Sequence, residues 1–338
     1  MNRREPYWDN LKLILIFLVV LGHFLIPVYD KGRSIKTVYN YIYLFHMPAF
    51  IFVSGCFSKS FVRKDDKAYK LAGFLALYCL FTAAIGLLQF IFTGKYNINT
   101  FLSNSQAPWY MLGMFFWYLL IIFFSRLSPA FAMPACILFS LAAGAYSECG
   151  TFLSLSKTIV YFPFFLAGYY FDRNLPYKIR PWMRITALAV MLSALIGMYF
   201  YLPLIAGQLG IIFGSGSYQL LGFSNLYGMM LRTVWYIVAF IMTGSLLCLV
   251  PAKRFGVTCI GERTLGIYVV HRLMRDVFMY LGVYQYLGHG FVLLLACIAV
   301  SCIMVFITSG KHVTDFMNSF FHMDFLMKGI HDGDEGGY

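Results

Sequence analysis

The chain has 338 residues, of which 60% are hydrophobic and only 12% charged, and its formal net charge is +12. Soluble domains carry about twice that charged fraction, and apolar runs long enough to cross a bilayer recur here. The composition predicts an all-α, polytopic bundle of membrane helices, because a membrane β-barrel would show short alternating segments instead. The surplus of Lys and Arg does not indicate nucleic-acid binding, since it concentrates in short loops, as the positive-inside rule requires of cytoplasmic loops.

Hydropathy predicts about ten transmembrane helices, with both termini cytoplasmic and the protein in the inner (plasma) membrane. We place a membrane domain over 1–310 and a short cytoplasmic tail over 311–338, in which 316–327 has the pattern of an amphipathic surface helix. The cations assigned to spans are Lys12, Arg272 and Arg275. The predicted spans are 9–29, 38–58, 68–93, 109–125, 131–147, 157–171, 185–205, 229–250, 264–282 and 290–309.

The first span contains two ionisable residues eleven positions apart, Lys12 and His23. An ionisable side chain within a membrane span is costly and marks a candidate functional site. Eleven residues of helix rise about 16 Å, so the two side chains lie at different depths. Asp30 follows two turns after His23, where it is expected to orient or polarise the imidazole. The structural alternatives are an interhelical hydrogen bond for His23 and, for Lys12, a side chain that extends to the inner membrane interface.

The second span contains His46 and Ser54 on a helix that Pro48 is expected to kink, and Gly55 permits a close helix approach. His46 is as easily explained by helix packing as by catalysis.

Connections on the two sides of the membrane differ. The loop 58–70 is cytoplasmic and rich in cations, whereas 207–228 is uncharged and rich in Gly, Ser and aromatic residues. The second segment is either an ordinary loop or a lid or re-entrant segment on the outer face. The eight cysteines form no C-x-x-C pair, so we predict neither a disulfide nor a metal site.

In the ninth span Tyr268, His271 and Arg275 are spaced i, i+3 and i+7 along one helix face. Arg272 and Asp276 lie beside them and offer a structural ion cluster as an alternative to a functional role. Histidines on three spans can meet only in a polar interior, and together they favour a site. A histidine acts as a general base near neutral pH, and cations near the inner face suit the phosphates of a nucleotide donor.

Three strings resemble the signatures of acyltransferase family 3, the integral-membrane O-acyltransferases, including its fucose 4-O-acetylase-like branch. Their order and spacing carry the resemblance more than any one motif does. The supporting strings are Pro108 to Leu112 and Phe162 to Tyr169. The three signatures are Asp9 to Lys12 with Val19 to His23, Phe45 to Phe50 with Ser54 and Gly55, and Thr264 to His271.

The resemblance implies transfer of an acetyl group from cytoplasmic acetyl-CoA, as co-substrate, to hydroxyls of a surface polysaccharide or its lipid-linked precursor. In the family pattern an Arg or Lys is followed by ten residues and then by His, and Lys12 and His23 meet this pattern. The expected roles are catalysis for His23, His46 and Asp30, donor binding for Lys12, Lys59, Arg63 and Lys64, and acceptor binding for Ser54, Tyr268, His271 and Arg275. The cytoplasmic Arg-x-x-Arg found in many relatives is not intact here, and Lys59, Arg63 and Lys64 occupy that loop instead.

Two other hypotheses remain open from the residues alone. Buried His, Arg and Asp also suit a transporter or flippase for a small anion or a lipid-linked sugar. A third hypothesis is a regulatory sensor of acyl-modified lipid, a binding protein that retains the fold but not turnover. The expected partners are a glycan or lipid-linked glycan acceptor and membrane lipids. A second copy of the chain is a further expected partner, in a homo-oligomer.

Overall fold

The structure, a computed structural model, describes residues 5–63, 67–95, 107–146 and 152–322. Within these ranges every regular element is a helix. The α-helices are α1 (Pro6–Leu25), α2 (Arg33–Cys56), α3 (Lys59–Arg63), α4 (Lys67–Thr93), α5 (Trp109–Phe124), α6 (Pro129–Ala143), α7 (Leu155–Tyr170), α8 (Pro181–Ile205), α9 (Asn225–Leu249), α10 (Thr264–Tyr280), α11 (Gly290–Thr308) and α12 (Lys311–His322). Short 3-10 helices connect several of them, at Ile26–Lys31, Phe152–Ser154, Leu175–Lys178, Ala206–Phe213, Thr258–Glu262 and Val283–Gln285.

The predicted all-α, multi-pass membrane fold is confirmed. Seven helical segments among the described residues are long and apolar enough to cross a membrane. Helices α5 and α6 are apolar but have 16 and 15 residues, and α10 has 17 residues and carries charges. These ten helices match the ten predicted segments, while the number of complete crossings and the side of the termini stay predictions.

Helix α1 lies inside the bundle and packs against α2, α10, α11 and the 3-10 helix at Thr258–Glu262. The amide of Asn10 fastens its first turn to the loop before α10: Nδ2 donates to the carbonyls of Pro251 and Lys253, both at 2.8 Å, and Oδ1 accepts from Thr258 Oγ1 at 2.7 Å. Gly261 also packs directly on the backbone of α1 there. Because this contact precedes α10 and further contacts follow along it, α1 and α10 run parallel.

Two glycines allow α2 and α7 to touch backbone to backbone. A Cβ at Gly55 would collide with the carbonyl oxygen of Phe165, and a Cβ at Gly168 would collide with that of Phe52. Small residues give membrane helices this close approach, which replaces a hydrophobic driving force by van der Waals contact. The close approach predicted from Gly55 is therefore found, with α7 as the partner.

Two further cations, Lys157 and Arg232, fall inside the predicted spans 157–171 and 229–250, and the structure places them on the membrane helices α7 and α9. Arg232 is fully buried, donates from Nη1 to the carbonyl of Ser140 at 3.3 Å and lies over the ring of Tyr218 at 4.5 Å. Arg232 thus takes these two partners from α6 and from the 206–224 segment.

The connection after α8 and the helix α12 both pack on the bundle. Tyr161 donates to the carbonyl of Ile212 at 2.7 Å, and Ser156 donates to that of Gly214 at 2.8 Å. Helix α12 covers the first part of the predicted amphipathic segment and contacts α4 and α10. The rest of that segment, after 322, lies outside the described residues.

Candidate active site

A cavity of about 250 Å³ opens where α1, α2, α5, α7 and α10 meet. Polar and aromatic side chains from all five helices line it, so it joins residues that are far apart in the sequence. It contains two of the three predicted histidines directly, with the third behind them. Its lining is Val19, His23, Ile26, Tyr39, Tyr43, His46, Met47, Ala107, Trp109, Lys157, Phe213, Tyr268, Arg272 and Arg275.

His23 and His271 form a hydrogen-bonded pair across α1 and α10. Nδ1 of His23 lies 2.8 Å from Nε2 of His271, and the two rings are nearly parallel, at 18° with centroids 5.0 Å apart. His271 is fully buried and His23 is half-buried at the cavity. The predicted convergence of span one and span nine therefore occurs through these two side chains.

The backbone of α10 determines which ring nitrogens carry protons. Nδ1 of His271 lies 2.7 Å from the carbonyl of Ile267, which can only accept, so this nitrogen is the donor. In neutral His271 the other nitrogen, Nε2, is then an acceptor, and Nδ1 of His23 must donate to it. His23 is left with an unprotonated Nε2, to which no described residue hydrogen-bonds, and which a hydroxyl in the cavity can reach.

His46 is held in the same tautomer by its own helix. Its Nδ1 donates to the carbonyl of Ile42 at 2.8 Å, and the ring packs edge-on against Tyr43 with centroids 4.6 Å apart. The residue is buried, yet it lines the cavity. Two imidazoles from α1 and α2 thus present unprotonated Nε2 atoms to one space.

Three cations line the same cavity. Arg272 and Arg275 of α10 both pair with Asp276, Arg275 at 3.3 Å between Nη1 and Oδ1. Lys157 of α7 lies over the ring of Trp109, with Nζ 5.1 Å from its centroid. The ion cluster predicted as a structural alternative is present, and its arginines also face the cavity.

Tyr268 separates this cavity from a second one. Its hydroxyl donates to the carbonyl of Ala107, and its ring packs on that of Tyr110 with centroids 5.5 Å apart. The second cavity, of about 280 Å³, lies toward the start of α10, and Asn318 and Phe321 of α12 are among the residues that line it. Tyr268 is the residue that both cavities share among those lining them.

Ser54, predicted to bind the acceptor, lies outside the lining of the first cavity. Its hydroxyl donates to the carbonyl of Phe50 at 2.9 Å and lies 2.6 Å from the hydroxyl of Tyr110. Tyr110 in turn lines the second cavity. The position of Ser54 is therefore suited to holding Tyr110, one helix away from His23.

Asp30 does not take the position expected of it. Helix α1 ends at Leu25, and the chain continues as a 3-10 helix with Pro27 in its first turn, so the face shared with His23 is not extended. The side chain of Asp30 is 86% exposed and pairs with Lys36 at 2.7 Å. The partner of His23 is His271, and an orienting role for Asp30 has no support in the geometry.

The predicted donor-binding cations lie at the opposite end of α1. Lys12 pairs with Asp9 at 3.5 Å and lies over the ring of Phe57, with Nζ 4.5 Å from its centroid. Lys59 donates to the carbonyl of Phe171 at 2.7 Å. Lys64 and the side chain of Arg63 lie outside the described residues.

Sequence reasoning missed Lys157, Trp109 and Arg272 as cavity residues. Trp109 belongs to a string quoted for the family resemblance, and Arg272 was assigned to an ion cluster. Lys157 was treated as the first residue of a span, although a cation beside an apolar run of a predicted membrane helix was a usable signal.

The family described as an acyltransferase domain matches residues 5–308. The chain belongs to the acyltransferase 3 family. The family resemblance predicted from the three strings is thereby confirmed over nearly the whole chain.

Two curated relatives of this acyltransferase 3 member are proteins named nodulation protein NolL. That of Mesorhizobium japonicum is 27% identical over 192 residues, which cover 52% of this chain and 50% of the relative. That of Sinorhizobium fredii is 28% identical over 187 residues, with the same shares. The chain thus spans about half the length of the curated relatives it matches. No solved structure matches the chain.

Proposed function

We propose that this acyltransferase 3 member is an inner-membrane O-acetyltransferase. It would transfer acetyl from acetyl-CoA to a hydroxyl of a surface polysaccharide or of its lipid-linked precursor. The observation that carries the proposal is the hydrogen-bonded pair of His23 and His271 beside a cavity, with Nε2 of His23 unprotonated. Family membership supports acyl transfer in general. The acetyl group, CoA as its carrier and the glycan acceptor are parts of the proposal.

In the proposed reaction His23 is the general base. Its Nε2 takes the proton of the acceptor hydroxyl while that oxygen attacks the thioester carbonyl, and the C–S bond then breaks as the tetrahedral intermediate collapses. The proton passes from His23 to the departing thiolate, which leaves as CoA thiol. His271 accepts from Nδ1–H of His23 throughout and holds the ring and its tautomer, as the third group of a catalytic triad does.

The cations of the cavity fit the charge that develops in this reaction. The tetrahedral intermediate carries a negative oxygen, and preorganised donors around it lower the barrier. Arg272 and Arg275 project from the same helix as His271, one turn or less away, and Lys157 lies on a different wall. These side chains are the ones we expect to stabilise the intermediate.

The two cavities suggest where donor and acceptor meet. With the start of α1 on the cytoplasmic side, the second cavity lies toward the donor and the first toward the acceptor. The pantetheine arm of the donor would pass Tyr268 to reach His23. In this structure the hydrogen bond from the Tyr268 hydroxyl to the carbonyl of Ala107 holds Tyr268 between the two cavities. Lys12 and Lys59, at the same end of the bundle as the start of α1, would lie near the phosphates of CoA.

The test is glycan acetylation in a strain that lacks the protein and is complemented with variants. Proton NMR of the isolated glycan measures acetyl groups per repeat. We expect acetylation with the native chain and a loss of at least about 100-fold with His23→Ala, because removal of a general base costs 10² to 10⁴ in rate. His289→Ala, at an exposed histidine before α11, is the matched control.

The same strains test the alternatives. Full acetylation by His23→Ala at normal expression would make the catalytic assignment wrong. Transport of a lipid-linked sugar without any acetyl-CoA dependence would favour the transporter hypothesis. Binding of labelled CoA by the native chain with no acetylated product would favour the sensor.

A further inference from the structure

Three aromatic side chains form one wall of the cavity that holds the histidines, and we call Tyr39, Tyr43 and Phe213 the aromatic wall. Tyr39 and Tyr43 belong to α2, and Phe213 ends the 3-10 helix Ala206–Phe213. The ring centroids lie 4.3 Å apart for Tyr39 and Tyr43, 5.2 Å for Tyr43 and Phe213, and 6.3 Å for Tyr39 and Phe213. All three residues are half-buried, so packing against the bundle leaves part of each side chain accessible.

The aromatic wall lies directly beside the histidines. Gly22 precedes His23, and a Cβ built on it would lie 3.1 Å from Cε2 of Tyr43, so the Tyr43 ring packs on the backbone of α1 at this point. On the other side the edge of the same ring meets His46, with centroids 4.6 Å apart. A molecule that lies against the aromatic wall is therefore next to the imidazoles of α1 and α2.

Phe213 is fixed in this position although it ends a short 3-10 segment. The residue before it accepts a hydrogen bond at its carbonyl, Ile212 from the hydroxyl of Tyr161 at 2.7 Å. The residue after it, Gly214, accepts one from Ser156 at 2.8 Å and has a φ of +62°, a conformation that favours glycine. Because α7 holds the backbone on both sides of Phe213, the aromatic wall is formed before a ligand arrives, which lowers the cost of binding.

An aromatic wall selects a particular kind of molecular surface. The face of an aromatic ring is negative and attracts weakly positive hydrogens, such as those on carbon atoms that carry oxygen. A pyranose ring has such C–H bonds on its faces and hydroxyl groups around its rim. An aliphatic chain could also pack on the wall, but it would bring no hydroxyl group to the base.

The size of the cavity agrees with a single sugar ring. Its volume is about 250 Å³, at the lower end of sites for small molecules, which have about 300–1,000 Å³. One residue of a glycan fits such a volume, and the remainder of the glycan would extend through the opening.

We propose that Tyr39, Tyr43 and Phe213 bind the acceptor by stacking on a face of its pyranose ring that carries only C–H bonds, while a hydroxyl on the rim faces Nε2 of His23. This inference rests on the proposed O-acetyltransferase function and narrows its acceptor to a pyranose with one such face. It makes the aromatic wall the part of the cavity that determines acceptor specificity.

Stacking can be tested without the acyl donor. The full chain in nanodiscs of phosphatidylcholine is treated with diethylpyrocarbonate, and carbethoxylation of His23 is followed by peptide mass spectrometry. The probes are methyl β-D-galactopyranoside and methyl β-D-gulopyranoside, which differ only in configuration at C3. The galactoside keeps one face free of axial hydroxyl groups, whereas the axial hydroxyls of the guloside lie on both faces.

We expect the galactoside to protect His23 at a concentration about 2- to 12-fold below that of the guloside, if stacking on a sugar contributes as much as stacking between aromatic rings. Phe213→Leu and Tyr39→Leu keep apolar bulk but remove a ring, and each should lower this ratio at least about twofold. Tyr39→Phe retains the ring and should preserve the ratio. The matched control is Phe223→Leu, at a half-buried phenylalanine of the same connection that packs on Tyr227 away from the cavity.

Three results would overturn the proposal. They are equal protection by the two glycosides, absence of protection by either, and a ratio that stays native in both Phe213→Leu and Tyr39→Leu. The two leucine variants alter different segments, so misfolding of one leaves the other to decide.

Because the measurement needs no acetyl-CoA, its failure is distinct from a failure of the proposed function. Glycan acetylation that depends on His23, together with equal protection by the two glycosides, would leave the function standing and remove this inference.

Discussion

Replacement of His271 is the sharpest test of the histidine pair. In His271→Leu the imidazole that accepts from Nδ1–H of His23 is gone, and a partly buried donor is left without its partner. Such a group costs about 1–3 kcal/mol, and each 1.36 kcal/mol on the barrier is tenfold in rate. If that cost falls on the transition state, kcat drops roughly 5- to 150-fold while KM for acetyl-CoA stays the same.

A conservative variant separates positioning from packing. Gln at 271 can place its amide oxygen near the position of Nε2 and accept from His23, although it loses the bond to the carbonyl of Ile267. We expect His271→Gln to recover about half of the lost transition-state free energy, which for a cost of 1–3 kcal/mol is a gain in kcat of about 2- to 13-fold over His271→Leu. A purely structural histidine would show similar losses for both variants.

The assay is transfer of labelled acetyl from acetyl-CoA to the glycan by purified protein in proteoliposomes, with kcat and KM measured separately. Protein amount is matched by fluorescence-detected size exclusion, and His289→Gln serves as the control histidine. Native kcat in His271→Leu would refute the reasoning about the tautomer of His23. A change confined to KM would assign His271 to binding instead.

Two further variants test the packing and the corrected role of Asp30. Gly168→Ala would press a Cβ against the carbonyl of Phe52, and overpacking of this kind costs about 1–3 kcal/mol. We therefore expect this variant to have a lower melting temperature in detergent. Gly197→Ala is the control and should leave the melting temperature unchanged, because nothing lies within 4 Å of a Cβ there. Asp30→Asn should keep acetylation within about twofold, because an exposed pair with Lys36 contributes little; a tenfold loss would restore Asp30 to the site.

Local sequence patterns predicted the helices and the helix faces, because apolar runs and i, i+3, i+4 spacing are properties of short segments. The face with Tyr268 and His271 is found as predicted. The bond between His23 and His271 was not predictable from spacing, since it joins positions 248 apart and depends on how α1 and α10 pack.

The wrong expectation for Asp30 has a local cause. It assumed that the helix continued two turns beyond His23, but the chain leaves α-helical geometry after Leu25. Pro27 lies in the second position of the 3-10 segment, which turns Asp30 toward Lys36. Pro27 is itself a sequence signal that a helix ends.

The glycine contacts between α2 and α7 have a mechanical consequence for the cavity. Sliding one helix along the other would bring a side chain onto a carbonyl oxygen that now faces a bare Cα, so the contacts at Gly55 and Gly168 oppose relative sliding of α2 and α7. The two walls of the cavity that carry His46 and Lys157 are therefore joined to each other at these glycines. Widening for a bulky sugar then falls to the other walls of the cavity, which are α1, α5, α10 and the segment that carries Phe213, and those are the places where a spectroscopic label would register it.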